Sequence, residues 1–269
     1  MPADSSLLDD LSRVALDVAQ GVAAILEAGF GHARELVETK SSPTDMVSEV
    51  DRTAETYAGQ RLAELRPEDG LLGEEGALRP SRSGVRWVLD PLDGTTNYLF
   101  GIPMWSVSIA AEIDTLPVAG VVIDPSRHET WQATSGRGAT LNGQPCRVAQ
   151  GRSSLSTALV ATGFGYQRER RAWEADVVSR VLPEVRDIRR FGSAALDLCW
   201  VAGGRFDAYY EWGLNAWDLS AGRLLCEEAG GRVEITPGEI VVATTLELFD
   251  PLRDLLARSG AYDPPGLGG

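Results

Sequence analysis

Apolar residues recur at Leu7, Leu11, Val14, Val18, Val22 and Ile25, three or four positions apart. That spacing predicts an amphipathic helix, with Ser5 or Ser6 as its cap and Gly29 and Gly31 as its end. A loop containing Lys40, Ser41, Ser42 and Pro43 follows. A second stripe (Val50, Ala54, Tyr57, Leu62, Leu65) predicts a helix over 49–65, stopped by Pro67. The period then shortens. Apolar and β-branched runs at 87–89, 104–112, 118–123 and 129–134, parted by turn residues such as Asp114 and Pro125, predict an antiparallel sheet. Beyond Gly151, strand-like runs at 158–161, 186–190, 208–210, 232–235 and 240–243 alternate with helical stretches near 170–182, 193–203, 217–229 and 246–258. Alternation of that kind predicts an α/β second half.

The pattern divides the chain into an N-terminal α+β half, 1–150, and a C-terminal α/β half, 151–269, packed as one compact unit. At 269 residues, 43% hydrophobic and 24% charged, the chain is long enough and apolar enough to bury a large core. The apolar run at 117–123 is too short to span a bilayer, and the acidic N-terminus (Asp4, Asp9, Asp10) does not read as a secretory signal. Three cysteines, Cys146, Cys199 and Cys226, are scattered and form no CxxC pair. They fit a reducing, cytoplasmic setting rather than disulfides or zinc ligands, and Cys199 and Cys226 read as small buried hydrophobes. A net charge of −14 argues against direct nucleic-acid binding. It leaves small phosphorylated substrates open, because a bound metal reverses the local field.

Four acidic segments stand out: 45–51, GEEG (73–76), WVLDPLDGTTN (87–97) and WDLSAG (217–222). In the third, an apolar strand ends in Asp90, Pro91 fixes the backbone and stops the ladder, Asp93 follows, and Gly94 permits an unusual turn. Such a turn aims two carboxylates and the Leu92 carbonyl at one point, an all-oxygen set suited to a hard cation such as Mg²⁺. The amides of Gly94, Thr95 and Thr96, if a helix begins there, suit a phosphate. A type I turn with capping aspartates explains the same string equally well. Taken singly, Asp218 reads as a helix N-cap and Glu74-Glu75 as a solvated pair.

Together, these segments resemble the inositol monophosphatase family of lithium-sensitive, Mg²⁺-dependent phosphatases. The resemblance rests on KSSPTDMVSEVD (40–51), GEEG (73–76), WVLDPLDGTTNYLFGIP (87–103), FGSAALDLCWVAGGRFDAYYEWG (191–213) and WDLSAGRLLCEEAGG (217–231), in that order, and so covers nearly the whole chain. The run TGFGY (162–166) is similar to the bacterial SuhB-type members. The resemblance implies a layered αβαβα sugar-phosphatase fold, two or three Mg²⁺ ions and a homodimer. Glu74, Asp90 and the Leu92 carbonyl would bind one ion, and Asp90, Asp93 and Asp218 a second, with Glu74 also in a weaker third site. Glu74 and the pair Asp51–Thr95 would orient the attacking water, and the amides of Gly94 and Thr95 would hold the phosphate. Gly192, Ser193 and Ala194 would line the substrate pocket, Glu211 would accept hydrogen bonds from substrate hydroxyls, and Lys40 would lie on a mobile loop over the site.

Tyr98 stands where the family often has Phe, and Asn215-Ala216 where many animal members have His-Cys; neither change touches a metal ligand. The two histidines, His32 and His128, fall outside every motif. The implied reaction is hydrolysis of a phosphate monoester by in-line attack of water, for which the barrier must fall by about 20 kcal/mol. The implied substrate is a small polyol phosphate, myo-inositol 1-phosphate first. Histidinol phosphate, fructose 1,6-bisphosphate and 3′-phosphoadenosine 5′-phosphate are the alternatives that related enzymes suggest. A regulatory, protein-binding role is the alternative outside enzymes.

Overall fold

The computed structural model describes the backbone of residues 4–37, 43–236 and 240–264, and the side chains of 4–30, 49–235 and 240–264. Two long helices open the chain, α1 (Ser5–Val37) and α2 (Pro43–Leu65). The strands β1 (Gly70–Gly73), β2 (Leu78–Arg79) and β3 (Val85–Asp93) precede a short helix α3 (Thr95–Leu99). Next come β4 (Ser106–Ile113), β5 (Leu116–Asp124), β6 (Glu129–Thr134), β7 (Ala139–Leu141) and β8 (Gln144–Cys146). The remainder alternates: β9 (Leu159–Thr162), α4 (Arg168–Val181), β10 (Asp187–Arg189), α5 (Ala194–Ala202), β11 (Ala208–Trp212), α6 (Ala216–Glu228), β12 (Arg232–Thr236), β13 (Ile240–Thr244) and α7 (Leu246–Arg258).

β1 to β8 form an eight-stranded sheet in the order β2-β1-β3-β4-β5-β6-β7-β8, antiparallel except where β1 runs parallel to β3. The other five form a mixed sheet, β10-β9-β11-β13-β12. Period-two alternation shows how the layers stack. Along β4 and β5, Val107, Ile109, Ala111, Val121 and Ile123 face α1 and α2, while Ala110 and Val122 face α5 and α6. In the second sheet Tyr209, Val241 and Ala243 face that same middle helix pair, and Tyr210, Trp212 and Val242 face α4 and α7. Both faces of each sheet are therefore buried, in a layered α-β-α-β-α fold, and each buried Val, Leu or Ile contributes about 1.5–3 kcal/mol. Small residues let the middle layer close: a Cβ at Gly120 would lie 3.1 Å from Cα of Ala221, and one at Gly222 2.7 Å from Leu198.

Three local expectations need correction. Helix α1 runs through Gly29 and Gly31 to Val37. Gly29 is there for clearance, since a Cβ would come within 2.6 Å of the Tyr98 hydroxyl, which donates to the carbonyl of Leu26 at 2.7 Å. Helix α2 begins at Pro43, six residues before the predicted start, because proline suits the first helical turn. Pro91 does not end its ladder. β3 pairs with β4 at Asp90↔Ser108 and again at Asp93↔Ser106, so Pro91 and Leu92 together oppose Val107 in a bulge. The bulge re-aims Asp90 and Asp93. Lys40 lies outside the described residues, as do the side chains of His32 and Asp45. His128 is exposed, away from the acidic segments.

Candidate active site

The bulged end of β3 and the first turns of α3, α5 and α6 meet at one pocket of about 370 Å³. Glu74, Asp90, Asp93 and Asp218 line it, with Leu92, Gly94, Thr95, Gly192, Ala194 and Glu211. Three of the carboxylates are aimed by their own walls. Asp90 Oδ1 accepts the Leu92 amide at 2.9 Å. Asp93 Oδ2 accepts the Ser193 hydroxyl at 2.6 Å and the Ala195 amide at 2.8 Å, at the start of α5. Asp218 is not the cap of α6: it is the third helical residue, reaching back to accept the Asn215 amide at 2.7 Å. The positive ends of two helix dipoles thus face two of the four acids.

Gly94 has φ 94°, and a Cβ there would sit 2.9 Å from the Met104 carbonyl, so both conformation and space require glycine. It caps α3, whose first amides have no acceptor within the helix.

Burial, followed by the neighbouring acids Glu74, Asp93 and Asp218, holds the Asp90 carboxyl well above its ordinary range. Burial pushes Asp93 to about 7, with Asp218 adding to the effect against the Ser193 hydrogen bond. Burial also raises Glu74 and Asp218. Among the described residues no three acidic, imidazole or thiol side chains converge closely enough to cage an ion as they stand. Asp90, Asp93 and Asp218 each spend an oxygen on their own wall, while Glu74 shares a hydrogen bond with Asp90.

Two sequence-predicted residues stand apart. Ser193 is buried behind the wall, where it holds Asp93. Asp51 is buried, its Oδ1 has no hydrogen-bond partner, and burial followed by Glu75, Glu74 and Glu55 pushes it to about 8. The structure forms no Asp51–Thr95 hydrogen bond; the Thr95 hydroxyl donates to the Leu92 carbonyl at 3.0 Å.

Other residues do work that the motifs did not reveal. Glu55 accepts the amides of Glu75 (3.0 Å) and Ala77 (3.1 Å), which pins the turn carrying Glu74. Gly73 leaves room for it, since a Cβ there would meet Glu55 Oε1 at 1.9 Å. Asn97 Nδ2 donates to the carbonyls of Met104 and Phe191, both at 2.7 Å, tying α3 to the segment before α5. Its place inside a motif was the only sequence signal. Opposite the acids, Glu211 is seated against Gly163, where a Cβ would fall 2.0 Å from its carboxylate, and Oε2 accepts the Tyr209 hydroxyl at 2.6 Å. Burial pushes Glu211 to about 7.

The chain belongs to the inositol monophosphatase family, whose sequence model matches residues 7–264. It is 45% identical over 258 residues to the inositol-1-monophosphatase SuhB of Mycobacterium tuberculosis, spanning 90% of this chain and 88% of that one. It is 36% identical over 246 residues to the Nus factor SuhB of Pasteurella multocida, spanning 88% and 92%. Among solved structures, Mycobacterium tuberculosis SuhB superposes with a TM-score of 0.83 at 42% identity, covering 94% of this chain and 98% of that one. The inositol monophosphatase from Anabaena (Nostoc) sp. PCC 7120 superposes with a TM-score of 0.80 at 32% identity, covering 97% of each.

Proposed function

We propose that the protein is a Mg²⁺-dependent phosphomonoesterase that hydrolyses small polyol phosphates, myo-inositol 1-phosphate first. The observation that carries the reading is the meeting of Glu74, Asp90, Asp93, Asp218 and the Leu92 carbonyl in one pocket beside the first amides of α3. These are hard oxygen donors, and the acids' raised proton affinity is the cost that a divalent cation would relieve. Glu74, Asp90 and Leu92 would hold one ion and Asp90, Asp93 and Asp218 another. Bound Mg²⁺ would neutralise the phosphoryl oxygens and acidify a coordinated water.

The chain's own part is positional. The amides of Gly94 and Thr95 receive the phosphate. Glu74 and Thr95 orient the water that attacks phosphorus in line. The family resemblance gives Asp51 a part in orienting that water, and its burial beside Glu75 and Glu74 supports this reading. The water oxygen bonds to phosphorus, the ester P–O bond breaks, and the alcohol leaves with a proton. Glu211 accepts hydrogen bonds from the hydroxyls of that alcohol, held in place by Tyr209 and the space at Gly163.

A substrate panel of myo-inositol 1-phosphate, histidinol phosphate, fructose 1,6-bisphosphate and 3′-phosphoadenosine 5′-phosphate, with Mg²⁺ and with or without Li⁺, tests the reading. Inositol phosphate is expected to lead and Li⁺ to inhibit. A preference of about tenfold in kcat/KM for histidinol phosphate overturns the substrate assignment. The name Nus factor, carried by the Pasteurella multocida relative among others, raises a non-catalytic reading. The intact acidic set favours catalysis, and co-purification of wild type and Asp93→Asn with cell protein distinguishes the two.

A further inference from the structure

One face of α4 packs against the turn that joins β11 to α6. Arg170, Trp173 and Glu174 stand three and four positions apart, so their side chains leave the helix on one side. The Trp173 ring lies 4.7 Å, centre to centre, from the ring of Trp212, the last residue of β11. Trp212 is anchored in turn, its Nε1 donating to the Ala261 carbonyl at 2.9 Å. Glu174 is fully buried and divides its carboxylate between two donors: Oε1 accepts Arg170 Nε at 3.0 Å, and Oε2 accepts the Gly165 amide at 2.8 Å. The guanidinium fixed in this way lies flat on the residue after Trp212. A Cβ at Gly213 would come 2.5 and 2.6 Å from its Nη1 and Nη2, and Gly213 has φ 65°.

The turn under that guanidinium aims one acid of the pocket. Two residues beyond Gly213, the Asn215 amide donates to Asp218 Oδ2 at 2.7 Å. The other acids are aimed from elsewhere. Asp90 takes the Leu92 amide, Asp93 takes the start of α5, and Glu211 takes the Tyr209 hydroxyl. A fully buried glutamate costs more than an apolar residue of similar volume would. What Glu174 supplies in return, and an apolar residue could not, is an arginine plane held rigid on the turn before Asp218.

We infer that Glu174, acting through Arg170 and the Gly213 turn, is a positioning residue for Asp218 and thereby sets the affinity of the cation that Asp218 would hold. The inference deepens the metal reading above and rests on it. Partners that orient a metal ligand without touching the metal change affinity by about 10–100-fold when lost. The effect is selective here. The cation assigned to Glu74, Asp90 and the Leu92 carbonyl takes no ligand from the segment that the arginine covers.

Two variants break the chain of contacts at different links. Glu174→Gln keeps the side chain's size and an acceptor for the Gly165 amide, but withdraws the charge that fixes Arg170. Arg170→Lys keeps a cation for buried Glu174, but withdraws the plane over Gly213. Mn²⁺, which shares the octahedral oxygen chemistry of Mg²⁺, is titrated into the full chain while electron paramagnetic resonance counts the free ion. Asp218→Asn, measured alongside, marks the ion that depends on Asp218. Each of the two variants should weaken that ion about tenfold or more and leave the other within about twofold, with circular dichroism unchanged. Turnover of myo-inositol 1-phosphate should return as Mg²⁺ is raised about tenfold. A merely structural role would weaken both ions alike and would not be rescued by Mg²⁺. Equal weakening of both ions, or of neither, overturns the inference, while two ions on the wild type leave the phosphatase reading standing. A wild type that takes up no ion, or an Asp218→Asn that loses none, overturns the metal assignment and the inference with it.

Discussion

The two walls of the pocket are built on different principles. The acidic wall sits on a bulged strand and two helix starts. Its aspartates Asp90 and Asp93 are 1% and 8% exposed, and every capping bond comes from backbone or a buried serine. The opposite wall carries Arg170 in the first turn of α4 and Arg190 just after β10, with the segment between β9 and α4 beside them, where Tyr166 is 84% exposed. The first wall is buried and hydrogen-bonded, which holds its carboxylates in place. The second combines buried Glu174, paired with Arg170, with an exposed loop residue, Tyr166.

Substitution should separate the walls by size of effect. Asp93→Asn on the acidic wall is expected to lower kcat/KM for myo-inositol 1-phosphate by about 10³-fold or more, while circular dichroism shows an unchanged fold. Near-normal turnover would place the chemistry elsewhere. Gly94→Ala acts on the same wall through the backbone. It combines a left-handed φ with a clash at the Met104 carbonyl and should cost about 2–4 kcal/mol in denaturant melts. A loss below about 0.5 kcal/mol would show that the bulge can relax. Glu55→Gln keeps one acceptor for the turn that carries Glu74, and should lower kcat about tenfold at an unchanged KM. If KM rises instead, Glu55 acts on the substrate and not on Glu74.

The smallest effect is one of pH. Asp93 and Glu211 titrate near 7 and Asp51 near 8 in the folded chain, against about 4 when unfolded. Between those limits the folded state holds more protons, so stability of the metal-free protein falls as pH rises from about 4 to about 8. Its Tm should be higher at pH 6 than at pH 8, and saturating Mg²⁺ should shrink the gap, since binding stabilises the ionised acids. A gap that Mg²⁺ leaves unchanged would detach these carboxylates from the cation site.

Helix and strand identity was legible wherever one period ran long enough, as in α1 and in β4 to β6. It failed where a residue's local meaning yielded to a distant neighbour. Gly29 reads as a helix stop until Tyr98 comes to lie against it, and Pro91 reads as a strand stop until a bulge absorbs it. Asp90, Asp93 and Asp218 read singly as turn and cap residues and stood out only together, in the segments of a family pattern. Glu55 did not, because an ordinary helical glutamate becomes a clamp only when β1 brings a turn against it. Arg170 was equally silent: its meaning depends on Gly213, a residue of a different strand end.

Asn97 and Asp93 carry a consequence for the order of folding. The Asn97 bond to Phe191 spans 94 positions and the Asp93 bond to Ser193 spans 100. Loops of that length close slowly, because their entropy is lost before any contact compensates. On refolding, helix and sheet signals should therefore return before catalysis, and a ribosome must release most of the chain before the pocket exists. A nascent or clipped chain with the DPLDG turn (90–94) intact but ending before Asp218 would lack one of the acids proposed to hold the cations.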